Sequence, residues 1–206
     1  MIDSNSMKPE SIAFGIAGVV FGLIAGWIIG SQQATLNPAA PAAVSASAPP
    51  PSTGSAPAAA VLDESKVKAL TTVAEQQPTN AQPRIELGNL YFDAERYNDA
   101  IKWYADAFKI NPKDVNVSTD LGISYYYMNE PDRALAQFDR SLQIDPSHAK
   151  TMLNVGIVRA FGKQDLKGAA EAWQKVIAMA PNSEEARAAK QALDGVKSAH
   201  PDLDKK

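Results

Sequence analysis

The stretch Ala100–Pro112, AIKWYADAFKINP, returns as ALAQFDRSLQIDP at Ala134–Pro146, 34 residues later, and as AAEAWQKVIAMAP at Ala169–Pro181, 35 residues after that. Recurrence at this period constrains the fold more than any other feature, because each copy must be one small supersecondary unit stacked on its neighbours. Aligned on their prolines, Ala100, Tyr104, Ala107 and Pro112 answer to Ala134, Phe138, Ser141 and Pro146, and then to Ala169, Trp173, Val176 and Pro181. A second pattern precedes each copy: Leu87, Gly88 and Tyr91, then Leu121, Gly122 and Tyr125, then Val155, Gly156 and Arg159. Each unit therefore reads as two helices. In the first, Leu87, Leu90 and Tyr91 form an apolar stripe at helical spacing, and Gly88 admits a close neighbour. In the second, Ala100 is small where helices cross, Tyr104 and Phe108 are large, and the proline ends the helix after a residue, Asn111 or Asp145, biased away from helical geometry. Neither helix can cover its stripe alone, so the chain is read as all-α and stacked.

The period and the positions Leu87-Gly88-Tyr91, Ala100, Tyr104, Ala107 and Pro112 resemble the tetratricopeptide repeat over about residues 81–183. The resemblance implies a right-handed α-solenoid of helix-turn-helix pairs, divided as 81–114, 115–148 and 149–183. The third copy is looser, with Arg159 in place of the aromatic and one residue inserted around Phe161–Gly168, FGKQDLKG. The tryptophan often found early in the family's first helix is absent, and Arg84, Ser118 and Met152 stand there. Residues 62–80 read as the second helix of an incomplete first unit, with Leu70 and Val73 at the positions of Tyr104 and Ala107. Residues 184–198 read as a capping helix, with Asn182 or Ser183 as N-cap, Glu184 and Glu185 in the first turn and Gly195 near its end.

Charge is spread unevenly along the chain. Residues 11–30, SIAFGIAGVVFGLIAGWIIG, carry none, and 20 helical residues cover roughly 30 Å, the thickness of a bilayer core. This run is read as an uncleaved transmembrane anchor in preference to a signal peptide, whose apolar region is about 7–15 residues. Gly18, Gly22, Gly26 and Gly30 fall on one face, where another membrane helix could approach closely; glycine is also simply common in such helices. Lys8 precedes the run and the next basic residue is Lys66, which places the tail 1–10 in the cytoplasm and the repeats in the periplasm or otherwise across the inner membrane. Whether the chain starts at Met1 or Met7 stays open. Residues 31–61, Ala-, Pro- and Ser-rich, bury too little to fold and read as a spacer. Its Ala34–Ala60 portion would reach from on the order of 30 Å as a coil to about 80 Å extended.

Most chemistry is excluded by what the chain lacks. A net charge of −3 offers no field for nucleic acid, and with 0 cysteines there is no disulfide, thiolate or cysteine-held metal. Only His148 and His200 are present, no phosphate-cradling loop or metal-ligand spacing occurs, and neither catalysis nor a cofactor is expected.

Binding is what the resemblance implies, through the inner face lined by the first helix of each pair. The positions it assigns there are Ile85, Asn89 and Phe92, then Thr119, Ile123, Tyr126 and Tyr127, then Lys150, Leu153, Asn154 and Ile157. The run Tyr125–Asn129, YYYMN, stands out, because adjacent helical tyrosines point roughly 100° apart and cannot all be buried. Tyr125 takes a structural position, which leaves Tyr126 and Tyr127 as contact candidates. Some family members hold a partner's terminal carboxylates here. Asn89, Lys150 and Asn154 suit that role, but Ile85 replaces a lysine and Asp120 an asparagine, so an apolar or helical segment is the expected occupant. The chain is thus read as a membrane-tethered adaptor or assembly factor. Two alternatives stand beside it: a chaperone-like holder of exported chains, as in cytochrome c maturation or secretion, and a scaffold that associates with itself through its repeats and glycine face.

Overall fold

The computed structural model describes residues 60–203. The tail 1–10, the expected anchor 11–30 with Gly18, Gly22, Gly26 and Gly30, and all of the spacer before residue 60 lie outside the described residues. Among the described residues no helix is long and apolar enough to cross a membrane.

Among the described residues eight α-helices follow one another: α1 Glu64–Gln76, α2 Gln82–Asp93, α3 Tyr97–Ile110, α4 Val115–Tyr127, α5 Pro131–Ile144, α6 Ala149–Ile157, α7 Leu166–Met179 and α8 Glu184–Ala199. Local signals set their ends. Asp63 and Asp114 cap α1 and α4 by accepting from two backbone N–H groups each, and Ser183 caps α8 through the Ala186 N–H. These bonds satisfy donors that a helix start leaves without partners. Gly195 lies within α8, which runs on to Ala199.

Helices pair as α2 with α3, α4 with α5 and α6 with α7, and each pair leans on the next through α3–α4, α5–α6 and α7–α8. First helices also meet one another, α4 against α6 and α6 against α8, so they form the inner side of the stack. The recurring positions are its core: Ala100, Tyr104 and Ala107, Ala134, Phe138 and Ser141, and Ala169, Trp173 and Val176 are all buried. The glycines explain the large ring in each unit. A Cβ on Gly88 would stand 2.5 Å from the Tyr104 ring, on Gly122 2.5 Å from Phe138, and on Gly156 2.2 Å from Trp173. One ring per unit fills the space its glycine leaves.

One expectation changes, and one open point is filled. In α1 the buried residues are Val67 and Ala74, with Leu70 part-covered beside them and Val73 only half-buried. α1 packs chiefly on α2, so it turns the stripe Val67, Leu70, Ala74 toward Leu87 in place of the register of a complete pair. In the third unit the inserted residue does not lengthen a loop. It widens the end of α6 into a π-turn, Val158–Gly162, whose Lys163 N–H reaches the Val158 carbonyl. A π-turn takes one extra residue while the helix keeps its course.

Candidate partner-binding groove

The inner side begins with the seams between first helices. Thr119 and Thr151 meet through their hydroxyls at 2.6 Å, and His148 Nδ1 lies 2.6 Å from Thr151 Oγ1 while its Nε2 is 3.2 Å from Asn116 Oδ1. Burial lowers the His148 pKa first, then the positive Lys150; Asp145, Asp120 and Glu185 oppose the shift. Beside this network Lys150 Nζ donates to Asp120 Oδ1 at 2.8 Å. The lysine is thus neutralised by the acid that stands where the carboxylate-holding pattern has an asparagine.

The positions expected to contact a partner divide into two groups. Ile123 at 3% exposed, Asn154 at 4% and Ile157 at 4% are sealed between helices, as are Thr119 and Leu153. The register explains this, because Ile123 packs into the core with Phe138 and Val158 and Asn154 Nδ2 donates to the Lys150 carbonyl within α6. Ile85, Asn89, Phe92, Tyr126, Tyr127 and Lys150 remain partly exposed. Asn89 accepts the Tyr104 hydroxyl at 2.7 Å, which ties an inner-face residue to the ring behind it.

Phe92, Tyr126 and Tyr127 belong to one aromatic cluster completed by Tyr97. Phe92 meets Tyr97 edge-on at 5.3 Å and Tyr127 at 5.4 Å, Tyr97 stacks on Tyr127 at 4.8 Å with 19° between planes, and Tyr126 meets Tyr127 at 6.1 Å. Ring pairs at these separations are favourable beyond the area they bury. Burial, aided by Glu95 and Tyr127, pushes the Tyr97 pKa up to about 12; burial, aided by Tyr127, does the same for Tyr126. The phenols therefore stay protonated at neutral pH and can donate hydrogen bonds. The tyrosine run made Tyr126 and Tyr127 visible in the sequence. Tyr97 was not, because it opens α3 and reaches the cluster from the second helix of its pair. Tyr125 is half-buried between two core clusters, with the Arg133 guanidinium 4.0 Å above its ring.

Two family models match: "TPR repeat" over residues 88–129 and "Tetratricopeptide repeat" over residues 119–184. The Hsp70-Hsp90 organizing protein 3 of Arabidopsis thaliana is 30% identical over 120 residues, 58% of this chain and 20% of that protein. The Hsp70-Hsp90 organizing protein of Triticum aestivum is 30% identical over 120 residues, 58% and 19% of the two chains. The match thus spans about a fifth of each relative's length. Among solved structures, the first TPR of Spaghetti (RPAP3) bound to the HSP90 peptide SRMEEVD superposes with a TM-score of 0.53 at 24% identity, covering 58% of this chain and 94% of that one. MamA superposes at 0.54 with 20% identity, covering 66% and 84%. At these identities the likeness shows the fold: residues 88–184 match tetratricopeptide-repeat models, and the helices adopt the tetratricopeptide arrangement.

Proposed function

We propose, from the match of residues 88–184 to tetratricopeptide-repeat models, that the domain is a protein-interaction adaptor holding a segment of a partner on its inner side. The observation that carries this reading is the partly exposed cluster Phe92, Tyr97, Tyr126 and Tyr127, which spans two units where the first helices line the stack. Tyrosine offers large contact area, little side-chain entropy to lose and a hydroxyl for a peptide backbone. The RPAP3 repeat that this fold resembles holds an HSP90 peptide, and peptide recognition is the role transferred here. Its acidic ligand is not, because Asp120 occupies Lys150. The uncharged run 11–30 and the spacer after it tether this domain to a membrane, with the repeats on the side away from Lys8.

The test is photo-crosslinking in cells from position 126 or 127 of the full chain, with position 102 on the outer helix α3 as control. A discrete partner polypeptide captured at 126 and 127 and not at 102 is the expected result. Capture of lipid alone, or of the protein's own copies alone, would overturn the adaptor reading.

A further inference from the structure

Two acids, Asp93 and Glu95, stand in the chain between Phe92 and Tyr97 of the aromatic cluster. Asp93 ends α2 next to Phe92, and burial raises its pKa against the opposing pull of Lys66. It also acts on Tyr104, whose hydroxyl Asn89 holds. Glu95 sits in the following turn and raises both Tyr97 and Tyr127. Lys66 is the cation that acts on Asp93; the others nearby are engaged elsewhere, Arg96 with Asp99 and Glu64 and over the Tyr91 ring, Arg133 with Glu130 and Tyr125, and Lys150 with Asp120. Glu95 thus acts on Tyr97 and Tyr127, Asp93 follows Phe92 at the end of α2, and among the described ion pairs neither carboxylate has a partner.

We infer that the segment seated on this surface is cationic, with a lysine or arginine placed against the Asp93 and Glu95 carboxylates and its stem along the Phe92, Tyr97 and Tyr127 rings. This rests on the adaptor reading and names the chemistry of its partner. Aromatic faces attract a cation by their quadrupole, the carboxylates add charge-assisted hydrogen bonds, and the long aliphatic stem of lysine or arginine covers apolar ring surface. An acidic segment would meet like charge on the same surface, and complementarity of this kind sets specificity and encounter rate.

The test uses the full chain in a neutral detergent and three synthetic peptides of one length, built of alternating leucine with lysine, glutamine or glutamate. Anisotropy titrations should show the lysine peptide binding at least tenfold more tightly than the glutamine peptide, and the glutamate peptide weakest. The Asp93→Asn/Glu95→Gln double variant should erase that advantage and flatten its salt dependence while leaving the glutamine peptide's affinity unchanged. Both substitutions remove charge, one of them desolvated, so the variant should fold; an unchanged thermal midpoint verifies it. Equal binding of lysine and glutamine peptides, or a double variant that keeps the lysine preference, overturns the charge inference alone. Failure of all three peptides to bind overturns it together with the adaptor reading.

Discussion

The residue that decides each unit is the glycine facing its large ring. A glycine inside a helix normally lowers stability by about 1 kcal/mol relative to alanine, so Gly156→Ala would be expected to help if space allowed. It does not, because the new methyl would stand 2.2 Å from the Trp173 indole, which is itself held by its N–H on the Leu153 carbonyl at 3.2 Å. Overpacking of this kind costs about 1–3 kcal/mol, so after the helix gain of about 1 kcal/mol Gly156→Ala should show a net loss of up to roughly 2 kcal/mol by chemical denaturation. A gain would show that the ring moves aside. The glycine-to-ring pairing was legible in the sequence because both members recur. The polar core of the second unit was not: Ser118 accepts from Gln137 Nε2 and from Ser141 Oγ, both at 2.8 Å. Serine in place of the family's tryptophan reads as drift until the partners, 19 and 23 residues away, are seen to meet it. Ser118→Ala strands the Gln137 amide, while the Ser141 hydroxyl turns to the Gln137 carbonyl at 3.1 Å, and should lose about 1–3 kcal/mol, whereas Ser118→Ala with Gln137→Leu and Ser141→Ala removes the whole network and should lose much less. Equal losses would mean the network contributes nothing specific.

At the scale of elements, the turns after α2, α4 and the π-turn share one device. Glu95, Asn129 and Gln164 adopt positive φ of 56°, 59° and 56°. In the first two turns the following N–H reaches back five residues, Arg96 to Tyr91 and Glu130 to Tyr125. This is the left-handed ending that usually employs glycine. Gln164→Gly should relieve about 1–2 kcal/mol of left-handed strain and surrender about 0.4–1 kcal/mol to a freer unfolded chain. A net gain of about 0.5–1 kcal/mol in the unfolding free energy is expected, and a loss would show that the Gln164 side chain holds the turn. The repeat pattern located this turn to within a few residues but could not say how its extra residue is housed, since a longer loop and a wider helical turn fit the same spacing. The seam between α4 and α6 adds a pH dependence. His148 titrates below its ordinary value in the fold, so just below about pH 6.5 the unfolded chain binds the proton that the folded chain refuses. Stability should therefore be complete above pH 6.5 and fall as the pH drops through the His148 pKa of the fold. His148→Gln should flatten that slope in denaturation midpoints collected between pH 7.5 and 5; an unchanged slope assigns it to other groups.

For the whole described domain, the order of helices and their partners could be read from a period and a few small and large residues, because stacked units bury their faces only on their neighbours. Of the positions the repeat pattern assigns to the candidate groove, Ile85, Asn89, Phe92, Tyr126, Tyr127 and Lys150 were legible as partly exposed. It was not legible at Ile123, Asn154 and Ile157, which a repeat alignment assigns to the same face. There the close approach of α4, α6 and α8 seals the inner side, and the spacing of positions along one helix carries no record of how near the next helix comes. That closeness makes the two ends of the array unequal. α1 covers chiefly α2, while α8 lies against both α6 and α7 and buries Ala186, Ala189, Ala192, Leu193 and Val196. Fully burying a leucine or valine contributes about 1.5–3 kcal/mol, so with its alanines α8 stabilises the third unit on the order of 5 kcal/mol. Through the contact of α6 with α4, part of that loss should reach the second unit as well. A chain ended after Pro181 should therefore show a much lower denaturant midpoint by helix circular dichroism than one whose α1 face is disrupted by Val67→Asp. Its transition should also broaden as Trp173 reports unfolding before the remaining helices do. If the two variants unfold at the same midpoint, or if removing α8 leaves the Trp173 signal cooperative with the rest, coupling along the first helices is not what holds the stack together.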